Sequence, residues 1–220
     1  MKIVERVKFW FRAYIREHHI VNLVWLNCHR VDERLLRSAQ PTPGQLERII
    51  RKHGIKTVIN LRGRSNRAVY KLERSVCRSM GVRMVALKLS SRSPVQAENL
   101  ENLKKAFENA EYPVLIHCKA GADRSSLASV LYRYWIRKEP LRAAIGKEMK
   151  FFPYGYIESS AAGILKYYFE RFERDRREHG DIDLIEWTRK MDKEELKREF
   201  DEKKKIKAID WVSEKLLKRE

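Results

Sequence analysis

"YPVLIHCKAGADRSSLASVLY", residues 112–132, opens on the apolar run Val114-Leu115-Ile116, passes through Cys118, Gly121 and Arg124, and closes on a helical pattern. A short unbroken apolar run that ends at a turn signal reads as a strand buried on both faces, and the segment after it as the helix packed on such a strand. The same alternation recurs upstream. "RLLRSAQPTPGQLERIIRKHGIKTVINLRG", residues 34–63, gives a short strand at Leu35 and Leu36, a turn through Pro41 and Pro43, a helix from Gly44 to His53 stopped by Gly54, and the strand "KTVINL". "VYKLERSVCRSMG" then leads into the strand "RMVALKL", and "VQAENLENLKKAFENA" into "YPVLIHC". Strands alternating with helices at short spacing predict an α/β fold with a central, mostly parallel sheet flanked by helices. The cysteine loop then sits at the carboxyl end of a central strand, the edge where open α/β sheets bind ligands.

The organisation expected is a basic amphipathic helix in 1–21, a domain over 22–175 and a charged helical extension over 176–220. The first places Ile3, Val4, Val7, Trp10, Phe11, Tyr14 and Ile15 at three- and four-residue spacing between cations. It is read as packed on its own domain or attached to an anionic membrane surface. From Asp181 on, charges of alternating sign and a thin apolar stripe, including Leu184, Trp187, Leu196 and Phe200, predict an exposed helical tail, docked through that stripe on the domain or on a partner.

The chain of 220 residues is 43% hydrophobic and 35% charged, enough to bury a sizeable core. Its formal charge is +18, all of it carried by residues 1–150, since 151–220 sum to neutrality. An excess confined to the segment with the cysteine loop favours a phosphorylated or polyanionic partner over a general solubility effect. Nucleic acid is a poor candidate, because no recognition motif accompanies the charge. Cys28, Cys77 and Cys118 are an odd set without Cys-x-x-Cys spacing, so neither a disulfide framework nor a thiolate metal site is expected. With no signal peptide or spanning segment read, the expected location is cytoplasmic.

In "HCKAGADRS", residues 117–125, small residues and Gly121 let the backbone curl so that its N–H groups converge at a helix N-terminus. That nest and the helix dipole bind an oxyanion through Lys119, Ala120, Gly121, Ala122, Asp123 and Arg124. The same field favours thiolate over thiol at Cys118, making it a nucleophile. Arg124 offers a planar fork to two phosphate oxygens, the Ser125 hydroxyl can bond the sulfur and ease its departure, and His117 orders the loop.

These residues resemble the active-site signature of the cysteine-dependent protein tyrosine phosphatase superfamily, His-Cys-x5-Arg-Ser/Thr. With the flanking segments and "YGYIESSAAGILKYYFERF", the chain is similar over about residues 22–172 to the small bacterial dual-specificity-like tyrosine phosphatases. The resemblance implies the tyrosine/dual-specificity phosphatase-like sheet with additional N- and C-terminal helices. It further implies a phosphocysteine intermediate, no metal or other cofactor, and phosphotyrosine or mixed phosphoprotein substrates. Phosphoinositides or inositol polyphosphates are the alternative, supported by Lys119, Asp123 and the charge; a weakly catalytic phosphate-binding module is a third.

The superfamily takes its general acid from an aspartate on the loop after the preceding strand. Here that region, "LKLSSRSPVQAENLEN", has no aspartate, and its first carboxylate is Glu98. Asp123 is the other candidate and resembles the aspartate that myotubularin and Sac-type lipid phosphatases carry before the loop arginine. Like-charge repulsion from a bound dianion would keep its proton on. The competing reading pairs Asp123 with an arginine as a brace; Asp32 stands third. Arg37 and Arg62 are accessory candidates, either contacting substrate phosphate or paired structurally with Asp123 or Glu98. Arg64, Arg67 and Arg92 are expected to ring the cleft, and Cys77 to pack as a small apolar residue.

Overall fold

A computed structural model describes residues 25–217 and, in the final helix, side chains up to residue 205. The basic helix expected in 1–21, with its membrane reading, lies outside the described residues. The chain divides into two compact units, one of residues up to Leu89 with Glu101–Tyr156, the other of Ser90–Leu100 with the chain from Ile157 on.

The first unit holds the strands β1 (His29–Arg30), β2 (Leu35–Ser38), β3 (Thr57–Asn60), β4 (Arg83–Ala86) and β5 (Val114–His117), in the order β1-β2-β5-β3-β4. β2, β5, β3 and β4 run parallel, as the alternating pattern predicts, and β1 adds an antiparallel edge. Sequence reading missed β1 because two residues are too few to show a period. Between the strands lie α1 (Pro43–His53), α2 (Ala68–Ser79) and α3 (Ala97–Glu108), followed by α4 (Asp123–Trp135) and α5 (Leu141–Glu148). α1 opens with a capping box: the Gln45 N–H donates to Thr42 Oγ1 at 3.2 Å, and the Thr42 N–H to Gln45 Oε1 at 2.9 Å. It ends at Gly54 in the left-handed conformation, as its sequence foretells.

Strand alternation sorts the side chains of β2, β3 and β5 between two faces. Leu36, Val58 and Leu115 join Leu46, Ile49 and Ile50 of α1 and Val76 and Cys77 of α2 in one core cluster. Residues of the same parity, His117 on β5 and Asn60 on β3, therefore point toward α2. Those of opposite parity, Arg37 among them, point toward α4 and α5. This sorting decides how the cysteine loop is held.

In the second unit, α6 (Ile164–His179), α7 (Leu184–Lys190) and α8 (Lys193–Leu217) follow one another. The Trp187 ring packs edge-on against Tyr168 and Phe172, with centroids 5.3 Å apart in both pairs. Arg171 bonds Asp175 at 2.8 Å and Glu199 at 2.5 Å. Within this unit the apolar stripe of the C-terminal stretch is buried at Leu184, Trp187, Leu196 and Phe200. No helix among the described residues is long and apolar enough to cross a membrane.

Candidate active site

β5 ends at His117, and Cys118 follows at the carboxyl edge of the sheet, 3% exposed. α4 begins at Asp123, earlier than the pattern "SSLASVLY" indicates, so Asp123 and Arg124 form its first turn. The N-cap residue is Ala122, whose side chain supplies no capping bond. The Ala122 side chain thus claims none of the first N–H groups of α4, and a helix N-terminus of this kind favours an anion.

The loop's carbonyls are tied down from outside. Lys119 O accepts from the Gln40 N–H at 3.3 Å, and Ala120 O from Asn27 Nδ2 at 2.9 Å. Gly121 O and Ala122 O accept from Arg37 Nη2 at 2.9 and 3.0 Å. In a planar trans peptide C=O and N–H point opposite ways. Holding these carbonyls outward turns the peptide N–H groups that follow them into the loop, forming the nest that the sequence suggested. Gly121, at φ +73, is obligatory twice over, since a Cβ there would stand 2.6 Å from Ala39 N and 2.8 Å from the Ser38 carbonyl carbon.

Arg37 is fully buried within β2. Its structural partner is Glu148 at the end of α5, bonded at 2.9 Å, in place of the expected Asp123 or Glu98. The same guanidinium donates to Ser126 Oγ at 2.7 Å and stacks on Tyr154 at 4.0 Å, while its Nε has no partner among the described residues. Glu148 also accepts from Arg133 Nε at 2.7 Å, so the buried carboxylate is shared by two cations.

From the opposite face His117 Nε2 bonds Glu73 Oε1 of α2, while its Nδ1 faces Cys118 O at 3.4 Å. Glu73 Oε2 accepts from Asn60 Nδ2 at 2.8 Å and Gln40 Nε2 at 3.0 Å. Burial opposes charge on this carboxyl, but the His117 imidazole and the hydrogen bonds from His117, Gln40 and Asn60 outweigh it and hold Glu73 below the usual carboxylate range. Because the folded value is depressed, this stabilisation is present above the ordinary value near ~4.3 and is lost as pH falls through the folded one. Glu73→Gln is expected to cost about 1–3 kcal/mol at neutral pH, in equilibrium unfolding followed against pH, with the gap to wild type closing in acid. Sequence reading passed over Glu73, although a lone acid in the apolar stripe Val69, Val76 and Cys77 was its signal.

The remaining candidates separate clearly. The Ser125 hydroxyl is buried and faces Ser38 O at 3.5 Å, the same carbonyl that the Cys118 N–H meets at 3.4 Å. Asp32 is consumed by the Arg34 and Leu35 N–H groups at 2.9 and 2.8 Å and by the Tyr132 hydroxyl at 2.9 Å, which removes it as an acid. Glu98 is exposed in the first turn of α3, in the stretch that groups with the second unit, as does Arg92. Burial pushes the Cys77 thiol up to about 12 and raises that of Cys28, which disfavours the thiolate at both.

Beside the loop a cleft of about 340 Å³ is lined by Arg62, Arg64, Arg67, Lys88, Lys119 and Arg124 together with uncharged residues and no carboxylate. Arg62 is half-buried and donates through Nη1 to Gln40 Oε1 at 3.0 Å, linking this wall to the Glu73 network. Arg124 Nη1 lies 3.5 Å from Leu61 O. Among the described residues no cluster of histidine, cysteine or carboxylate side chains suits a metal ion.

A buried parallel strand, a Cys-x5-Arg loop with inward amides and an uncapped helix define a cysteine-dependent phosphatase of the protein tyrosine and dual-specificity superfamily. Residues 25–158 match the family model described as "DSP-PTPase phosphatase fused to NAD+ Kinase", and the chain belongs to that family. Solved structures share the fold. TpbA of P. aeruginosa is 22% identical, covering 80% of this chain and 91% of its own, with a TM-score of 0.52. The core catalytic domain of the PP-IP phosphatase SIW14 from S. cerevisiae is 17% identical, covering 70% and 93%, also at 0.52. The "Putative phosphatase (DUF442)" from Shewanella putrefaciens CN-32 is 20% identical over 69% and 95%, at 0.51. No match is found among curated protein sequences.

Proposed function

We propose that the protein hydrolyses phosphate monoesters of phosphoproteins through a phosphocysteine intermediate, and the four outward-tied loop carbonyls are the observation that supports it most directly. Cys118 sulfur attacks phosphorus, and the bond to the ester oxygen breaks. The loop N–H groups and Arg124 hold the equatorial oxygens as their charge develops. Asp123 protonates the leaving oxygen, and the Ser125 hydroxyl eases release of the sulfur when water cleaves the S–P bond. Asp123 is assigned this role because it is the carboxylate that the loop itself carries, half-buried in the first turn of α4 beside Arg124.

Leaving-group dependence tests the assignment. Asp123→Asn should slow an alkyl phosphate by about 10²–10⁴-fold while sparing an activated aryl phosphate, whose leaving group barely needs a proton. Equal losses on both esters would make Asp123 a brace.

The cation-lined cleft favours a second substrate class, a compact polyphosphorylated ligand such as an inositol polyphosphate, whose further phosphates would lie against Arg62, Arg64 and Lys88. TpbA has been crystallised with phosphotyrosine, and SIW14 is a PP-IP phosphatase, so both classes occur on this fold. Comparing kcat/KM on phosphotyrosine peptides and inositol polyphosphates decides between them.

A further inference from the structure

A larger groove of about 1060 Å³ lies along the outer side of α2 and β4. It shares Arg64, Ser65 and Tyr70 with the cleft beside the cysteine loop, so the two are continuous. Five cations line it, Arg64, Lys71, Arg74, Arg78 and Arg83, and again no carboxylate does. Arg64, Lys71, Arg74 and Arg78 are exposed and make no ion pair among the described residues, whereas arginines of α6 such as Arg171 and Arg174 are matched to acids. Like charges left together without counter-charges cost self-repulsion, which a polyanionic occupant relieves.

The groove also has a backbone side. β4 is the edge strand of the sheet. The N–H groups of Arg83 and Leu87 donate to Lys56 and Asn60 carbonyls of the β3 side at 3.0 and 2.9 Å. By alternation the N–H and C=O groups of Met84 and Ala86 face the open edge, and they have no partner among the described residues. An open ladder accepts another polypeptide strand, whose alternate side chains then reach the groove walls. Nucleic acid would satisfy the arginines but not the ladder.

We propose that this groove docks an extended acidic segment of the phosphoprotein substrate, pairing on the β4 edge while its carboxylates meet Lys71, Arg74, Arg78 and Arg83. The proposal rests on the phosphoprotein reading of the active site and adds the feature of the substrate that would be selected, acidic residues flanking the phosphorylated one.

The test uses the full chain and two phosphotyrosine peptides that differ in carrying a glutamate-rich or a serine-rich tail. Wild type is expected to favour the acidic tail by about tenfold in kcat/KM, through KM, with the preference shrinking as salt rises. Arg74→Glu/Arg78→Glu should abolish the preference while leaving turnover of a small aryl phosphate unchanged, since neither residue lines the cleft beside the loop. Proline at alternate tail positions should lower affinity in wild type by removing ladder donors. Direct binding of a labelled, unphosphorylated glutamate-rich peptide reads the groove independently of turnover. Equal kcat/KM for both tails, a preference that survives the double charge reversal, or tighter binding of a single-stranded RNA of equal charge would each overturn the proposal. Failure to hydrolyse the aryl phosphate would instead overturn the enzymatic reading and leave the peptide-binding result to stand on its own.

Discussion

Cys118→Ser is expected to lose on the order of 10⁴-fold or more in turnover of both aryl and alkyl phosphates, because the step that splits hydrolysis into two displacements goes with the sulfur. Arg124→Ala should lose about 10³–10⁵-fold, in the manner of other arginines that follow transferring phosphoryl charge. The two losses differ in kind. Cys118→Ser keeps the nest, so it should still bind inorganic phosphate or vanadate, whereas Arg124→Ala should bind both poorly. Steady-state rates with titration of the oxyanion measure the pair. If Cys118→Ser retained wild-type rates, the phosphocysteine route would be refuted.

The largest expected effect on stability falls on Arg37. Its guanidinium and the Glu148 carboxylate are both fully buried, and removing one member leaves the other charged in the interior. Arg37→Leu is expected to destabilise by about 3–5 kcal/mol in equilibrium unfolding. It also frees two loop carbonyls, so the folded fraction should bind phosphate more weakly. Arg37→Lys separates the two effects. It keeps the positive charge opposite Glu148, but one ammonium cannot reach Gly121 O, Ala122 O, Ser126 and Glu148 together. Stability should then recover in part while phosphate affinity stays low. If Arg37→Lys bound phosphate like wild type, the fork would not be setting the loop.

Arg37 and Glu73 brace the loop from opposite faces of the sheet, and each acts on backbone or ring groups rather than on a substrate. They are positioning residues. The arrangement explains how a loop of mostly small side chains keeps its amides convergent without ligand, since preorganised donors need no reorganisation when charge develops.

Much of the site was legible in the sequence because its determinants are close in the chain. Cys118, Gly121, Arg124 and Ser125 all fall within residues 118–125, and the run Val114–His117 before them has the unbroken apolar character that a strand buried between two neighbours requires. Helix boundaries were read less well. Asp123 and Arg124 look like loop residues by pattern, yet fall in the first turn of α4, because helix starts depend on whether the first N–H groups find partners. The expected Arg37 pairing with Asp123 or Glu98 failed because a buried ion pair is set by which strand face a residue occupies, and local spacing does not report that.

The sequence by itself determined the Cys-x5-Arg loop on which the proposed chemistry rests, and the parallel sheet that carries it, since spacing along one strand, one loop and one helix fixes local backbone geometry. Tertiary structure alone decided what holds the loop open. Asn27 meets Ala120 across 93 positions, Arg37 meets Glu148 across 111, and His117 meets Glu73 across 44. Those partnerships follow from strand order and side-chain alternation, which bring distant polar groups into a dry interior where each must find its counterpart.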